Sequence, residues 1–260
     1  MTTCHQLNGQ QLQSYQSEGF FLYKGLFQSD EVKALIEFAS ADQKMVENTT
    51  GRKDAQGNQT KLSLWNHPPD NLFGLFSRSP RIVEVATQIM GEEIYHYHSK
   101  MMLKEAKTGG AWEWHQDYGY WYNYGCLKPQ LISCLIALDG ADLQNGCLQV
   151  LPGSHSLGRI DHGKTGDQTG ADIERVNVLL DRAPPHFVEA APGDVLFFHC
   201  NLLHRSDANR SDRSRWSLIC CYNTKSNSPY KESRHPAYTP LIASSDEELK
   251  ATIQTLHSES

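Results

Sequence analysis

Trp112-Glu113-Trp114-His115-Gln116-Asp117 sets an imidazole and a carboxylate two residues apart. In an extended strand, side chains at i and i+2 share a face, so His115 and Asp117 point to one place and Gln116 turns away. A ring nitrogen and a carboxylate oxygen are two of the three ligands of a facial triad, which holds non-heme Fe(II) and leaves other positions open. The third ligand must be a distant histidine. His-x-Asp is common by chance, and taken alone it reads as a surface histidine beside a solvated aspartate.

Further along, Pro192-Gly193-Asp194 turns into the apolar run Val195 to His199, and a short loop then carries His204 to what reads as a barrel rim. His204 supplies the missing ligand. Arg215 stands at the start of the next strand. The planar fork of an arginine binds a carboxylate bidentately. 2-Oxoglutarate carries such a carboxylate at its far end, while its keto-acid end chelates iron in the open positions. In a β-rich chain, His-x-Asp, a distant histidine and this arginine form a specific combination.

The 260 residues are enough for one large β domain with a real core. A net charge of −6 with no Lys/Arg run argues against nucleic acid or an anionic membrane as the main partner. No apolar run reaches spanning length, and Met1 to His5 is not a signal peptide. Seven cysteines without a Cys-x-x-Cys pair read as small core residues in a reducing cytoplasm.

Residues 7 to 91 read as helical support. Helices are expected over 7–17, from an N-cap at Ser29 to about Ala39, and over 80–90, with a short strand at 20–23, a loop or hairpin at 47–60 and a strand at 61–65. From 93 to about 225 strands and turns take over: Ile94 to Leu103, the His-x-Asp strand, Leu131 to Leu138, a hairpin turn at Asn145-Gly146, then 147–151, 195–199 and 215–223. A polar insert with one short helix near 172–180 fills 161–186, and the tail from 226 to 260 is mostly loop with a helix near 245–255. Short strands with regular turn signals suggest a double-sheet jelly roll with the N-terminal helices packed on one sheet, all in a single domain.

These motifs resemble the phytanoyl-CoA dioxygenase family of Fe(II)/2-oxoglutarate oxygenases, from about Phe20 to about Pro240. The likeness rests on Trp114-His115-Gln116-Asp117, the run Asn145 to His155, Pro192 to Val195, and His204 with Ser206 and Arg215. The resemblance implies a mostly β, cupin-like double-stranded β-helix that uses Fe(II), 2-oxoglutarate and O₂ and releases succinate and CO₂. His115, Asp117 and His204 would hold iron, and Arg215 and Ser206 the distal carboxylate. His98, Lys100 and Lys61 stand where the family makes further cosubstrate contacts, although related members can carry Met at the place of Lys100.

Seven aromatics fall within 112–124. Most read as strand packing, but Tyr118, Tyr120 and Trp121 directly follow Asp117 and are candidates to line a substrate pocket. Arg159 and His162 are candidates to meet an anionic group, with a solvated loop as the plain alternative, and the 159–181 insert reads as a lid. His155 reads as turn chemistry and His199 as a satisfied core histidine. The function expected is hydroxylation of a small organic substrate with an anionic group, of amino acid, betaine or aminophosphonate type. The rivals are hydroxylation of an acyl-CoA thioester and a non-catalytic jelly-roll sensor; Asp117 argues against a halogenase, and no evident base supports a zinc hydrolase. The protein is expected to work as a monomer or homodimer.

Overall fold

The computed structural model describes residues 5–165 and 167–259, so Met1 to Cys4, read above for a leader, lie outside the described residues. The chain opens with α1 (Gly9–Glu18), β1 (Phe20–Tyr23), α2 (Ser29–Ala41), α3 (Gln43–Asn48), β2 (Thr50–Lys53), β3 (Gln59–Trp65), α4 (Leu72–Ser77) and α5 (Pro80–Met90). The middle runs through β4 (Ile94–Lys104), β5 (Trp112–His115), α6 (Asp117–Trp121), β6 (Leu131–Ala137), β7 (Leu148–Val150), β8 (His162–Thr165), β9 (Gln168–Ala171) and α7 (Ile173–Leu180). It ends with β10 (His186–Val188), β11 (Val195–His199), β12 (His204–Ser206), β13 (Arg215–Thr224) and α8 (Asp246–Glu259). The expected 47–60 loop or hairpin is the β2–β3 turn. Ser29 is the first helical residue rather than the N-cap, because Gln28 makes a capping box with Glu31.

The strands form an antiparallel double-sheet jelly roll. A seven-stranded sheet runs β1-β11-β6-β13-β4-β3-β2, and a four-stranded sheet runs β10-β7-β12-β5. The large sheet is buried on both faces, which is why β6 reads as the unbroken apolar run Leu131 to Ala137. Ile132, Cys134, Ile136, Phe197, Leu218 and Cys220 face a layer built from α2, α4, α5 and α8. The alternate residues Leu135, Leu196, Phe198, Ile219 and Cys221 face the space between the sheets. Cys220 and Cys221 therefore point to opposite faces, and all six described cysteines are free and buried.

Two turn expectations change. Asn145-Gly146 does not close a hairpin, because β6 belongs to the large sheet and β7 to the small one; the turn carries the chain across between them. The tail is also more than loop, since Leu249 and Ile253 of α8 are buried in the helical layer. Among the described residues, no helix is long and apolar enough to cross a membrane.

Candidate active site

His115 closes β5, His204 opens β12, and the antiparallel register pairs them directly, with ring centroids 4.0 Å apart. Asp117 does not share the strand, contrary to expectation. β5 ends at His115, Gln116 is the extended N-cap residue, and Asp117 begins α6. That one extended residue keeps the alternation, so His115 Nε2 and Asp117 Oδ1 still lie 3.8 Å apart. Gln116 turns away, donating to the carbonyls of Gly158 and Asn201 and accepting from the N–H of Ile160. Ligand atoms of His115, Asp117 and His204 all lie within 4.8 Å of one another, and all three residues are buried.

The hydrogen bonds around these atoms suit a cation. His115 Nδ1 lies 2.8 Å from the Glu113 carbonyl and His204 Nδ1 2.9 Å from the Leu202 carbonyl. A carbonyl only accepts, so Nδ1 carries the proton in each ring and Nε2 is left to the site. Burial holds the His115 pKa well below the usual imidazole range, helped by His204 and Lys100; burial also lowers that of His204, against the pull of Asp117. Neutral imidazole is the form that binds metal. Ser133 Oγ donates to Asp117 Oδ2 at 2.6 Å, which leaves Oδ1 facing the histidines, with Lys100 Nζ 3.9 Å away. Two neutral imidazoles and a carboxylate gathered to one side fit Fe(II) with open positions.

His115 and His204 line a narrow cavity of about 40 Å³ that continues to Ser206 and Arg215, with Lys100 on its wall. Arg215 Nη2 donates to the Gly146 carbonyl at 2.9 Å, while its buried Nε has no partner. Burial pulls the guanidinium pKa down to about 10, so it stays charged at neutral pH. Among the described residues no acid lies within ion-pair distance of it. Its Nη1 lies 3.5 Å from Ser217 Oγ, so Nε is the donor left over, and a buried guanidinium with a donor to spare suits a carboxylate. Gly146 is required here: its φ is +76°, and a Cβ would lie 2.3 Å from the Asp207 carbonyl oxygen. Larger clefts open at the surface, one of about 830 Å³ around Lys107, Gln144 and Asn209 and one of about 650 Å³ between Leu157 and Leu179. Neither is lined by any of the three clustered residues.

The family model for phytanoyl-CoA dioxygenase matches residues 15–217. The chain belongs to the phytanoyl-CoA dioxygenase family. Within this dioxygenase family, the ectoine dioxygenase of Bordetella bronchiseptica is 29% identical over 236 residues, covering 85% of this chain and 77% of that one. The L-proline trans-4-hydroxylase of Streptomyces griseoviridis is 30% identical over 196 residues, covering 69% and 72%. The crystal structure of EctD from S. alaskensis with bound Fe superposes with a TM-score of 0.77 at 22% identity, covering 94% of this chain and 90% of that one. The epimerase SnoN, crystallised with Fe3+, alpha-ketoglutarate and nogalamycin RO, shares the fold at a TM-score of 0.74 and 18% identity, covering 91% and 93%. The jelly-roll, cupin-like fold expected from the sequence is borne out.

The other positions suggested by the family resemblance divide. Lys61 is exposed on β3 and pairs with Leu103, whose side chain faces the helical layer, so its parity directs it away from the cavity. His98 is buried on the inner face of β4 but lies away from Arg215. It stacks on His235 at 4.7 Å and meets Trp121 at 5.7 Å. Tyr97 lies beside both of these rings, because the β4–β13 register shifts there: Tyr222 pairs with His96 and Cys221 with His98. Tyr97 and His98 therefore turn to the same face, as residues at a β-bulge do. Burial holds the His98 pKa well below the ordinary imidazole range and that of His235 at about 3, so both rings are neutral.

Of the aromatics after Asp117, Trp121 reaches this histidine pair. Tyr120 packs on the His115 ring at 5.6 Å and donates to the Thr169 carbonyl. Tyr118 is turned away and donates to the Cys126 carbonyl. Arg159 does not reach the cavity; it pairs with Asp161 at 2.6 Å and lies over the Tyr122 ring in the Leu157–Leu179 cleft. His162 is no anion donor either. Its Nδ1 is taken by the Ile160 carbonyl and its Nε2 accepts from the N–H of Gln116. The insert packs on one flank of the site, where Gln168 bonds to Ala111 and Glu113 at the edge of β5.

Two residues at the site went unmarked in the sequence. Ser133 is a polar inward residue within an apolar strand and could have been found from strand parity. His235 sits in the tail with no local pattern to mark it.

Proposed function

We propose that this chain is an Fe(II)- and 2-oxoglutarate-dependent dioxygenase that hydroxylates a small organic substrate carrying an anionic group. His115, Asp117 and His204 hold the iron, and Arg215 and Ser206 hold the distal carboxylate of 2-oxoglutarate. The observation that carries this reading is one cavity lined by two of the clustered ligands and by a buried arginine with no acid beside it. Iron supplies the O₂ chemistry that turns 2-oxoglutarate into succinate and CO₂ and hydroxylates the substrate. The chain's own part is positional. Arg215 and Ser206 anchor the far end of the 2-oxo acid so that its keto-acid end meets the metal, with Lys100 beside it. Ser133 and the carbonyls of Glu113 and Leu202 orient the ligands.

The substrate end lies along β4 on the other side of Lys100, where Tyr97, His98 and Trp121 meet His235. Aromatic faces accept an amine or a quaternary ammonium, and Lys100 offers a charge for an anion. Two relatives bear names that give ectoine and L-proline as their substrates, which favours an amino acid or compact zwitterion, the betaine and aminophosphonate types included. An acyl-CoA fits less well, since the sequence has no basic cluster for nucleotide phosphates. Free, buried thiols suit a reducing cytoplasm, and a monomer or homodimer suffices for such a site.

Loaded without oxygen, the protein should bind a single Fe(II) and develop a visible absorption band when 2-oxoglutarate is added. His115→Ala and His204→Ala should lose both. Arg215→Ala should weaken 2-oxoglutarate binding by roughly 2–5 kcal/mol, as truncation of a buried charge pair does, and leave iron affinity unchanged. Wild-type iron affinity in both histidine variants refutes the assignment. Succinate release across amino acids, betaines, aminophosphonates and acyl-CoAs tests the substrate class, and turnover confined to acyl-CoA thioesters overturns it.

A further inference from the structure

One side chain ties the C-terminal segment to the substrate end of the site. Asn66 follows Trp65, the last residue of β3, which pairs with Ser99 beside His98. Its Nδ2 donates to the carbonyl of Arg234 at 2.6 Å, 168 residues further along, and its Oδ1 lies 3.0 Å from His235 Nδ1. A carbonyl only accepts, so the amide has one orientation: Nδ2 goes to Arg234 and Oδ1 is left for His235. His235 Nδ1 must then carry the proton, and its Nε2 is an acceptor. That acceptor takes the N–H of Arg234 Nε at 3.3 Å. Burial, with Arg234 and Lys100 after it, holds the His235 pKa at about 3, so the neutral ring keeps this tautomer at neutral pH. The ring is also locked by packing: it is 5% exposed, stacked on His98 at 4.7 Å and set against Tyr97 at 4.8 Å.

Arg234 ends this chain of bonds. Its guanidinium lies over the Tyr124 ring at 4.7 Å, and Tyr124 packs edge-on against His235 at 5.2 Å. Nε is used inward, which leaves the two Nη groups, and among the described residues no acid lies within ion-pair distance of them. Lys100, the other cation at this end, has the Asp117 carboxylate 3.9 Å away. Arg159 and His162, which the sequence offered for an anionic group, are spent elsewhere. Arg234 is therefore an uncommitted cation beside the His98–His235 pair, and its fork has the shape that holds a carboxylate or phosphonate.

We propose that Asn66 is a positioning residue for the substrate: through His235 it holds Arg234 at the substrate end, where the guanidinium receives the substrate's anionic group. The C-terminal segment thereby forms a wall of the substrate site, latched by Asn66. The preference for an anionic substrate over a neutral analogue then depends on a residue at the end of β3. This rests on the reading of the chain as a hydroxylase of a small anionic substrate.

The test has two readouts, and the first needs no substrate. Trypsin cleaves after arginine, and the Arg234 carbonyl is the one that Asn66 engages. Asn66→Leu should speed the appearance of a new N-terminus at His235, because proteolysis follows local opening. An unchanged rate overturns the proposal. The second readout is the KM of whichever amino acid, betaine or aminophosphonate releases succinate fastest, beside the same compound with its anionic group made a neutral amide or ester. Arg234→Gln should raise KM for the anion roughly ten- to hundredfold, the scale of a lost hydrogen bond between charged groups. It should leave kcat, the KM of the neutral analogue and 2-oxoglutarate affinity unchanged. Arg234→Lys should recover part of the loss. Asn66→Leu should move KM the same way and cost little more when added to Arg234→Gln, because the two act as a unit. An equal rise for anion and analogue, or no rise, overturns the proposal. If Asn66→Leu does not fold, His235→Phe decides: it keeps the ring packing and removes both polar ends, so it must raise KM for the anion alone, and any other result overturns the proposal. Wild-type protein that turns over none of these compounds overturns both readings. Turnover that the Asn66 and Arg234 variants leave intact overturns the inference alone.

Discussion

Asp117 is held from one side. Ser133 Oγ bonds to its Oδ2 at 2.6 Å, and the other oxygen is left toward the two imidazoles. Ser133 points inward from a strand whose other inward residues are apolar, so its hydroxyl stands as a specific support for a ligand carboxylate. Ser133→Ala should lower iron affinity by about ten- to hundredfold, the usual effect of losing an outer partner of a metal ligand, while the fold survives a change to a smaller apolar side chain. Competition with a chelator of known affinity measures this. Unchanged iron affinity would show that the carboxylate is oriented by its helix alone.

At the scale of elements, α6 and the β8–β9 hairpin grip the residue between two ligands. The His162 ring accepts from the N–H of Gln116 and sits against Gly119, where a Cβ would come within 2.2 Å of it. Gly119→Ala must therefore push the imidazole away and release Gln116, loosening the turn that sets Asp117. We expect a loss of about 1–3 kcal/mol, typical of overpacking, together with weaker iron binding. Urea denaturation of Gly119→Ala, of His162→Ala and of the double variant measures the coupling. Strict additivity of the two costs would mean that the clamp does not exist.

For the whole molecule, the helical layer is closed by the C-terminal segment. Arg81 of α5 makes a bidentate contact with Glu31 of α2, at 2.6 and 3.0 Å, and reaches Asp246 of α8 at 2.7 Å. All this lies on the outer face of the large sheet, away from the cavity. Removing the guanidinium strands the Glu31 carboxylate in a buried place, so Arg81→Leu should cost about 3–5 kcal/mol. The same variant should bind iron and 2-oxoglutarate normally under conditions where it is folded. A large loss of affinity without a loss of stability would mean that the helical layer is coupled to the site.

Much of this was legible in the residues because a strand's side chains alternate, and the alternation is a local property. It sufficed to aim His115 and Asp117 at one point, while the unbroken apolar runs marked β6 and β11 as core strands and the positions of His204 and Arg215 after them offered the partners. The tertiary structure decided what local parity cannot. The bulge at Tyr97 turns two successive residues of β4 inward, and the pairing of β3 with β4 sends Lys61 to the wrong face for the cavity. Arg159 and His162 have charges or lone pairs that the sequence leaves free and the fold uses up, on Asp161, Ile160 and Gln116. His235 arrives at His98 from a segment far along the chain. Which face a side chain takes follows from its strand; which partners consume it follows from contacts between residues distant in sequence, and no local pattern encodes those.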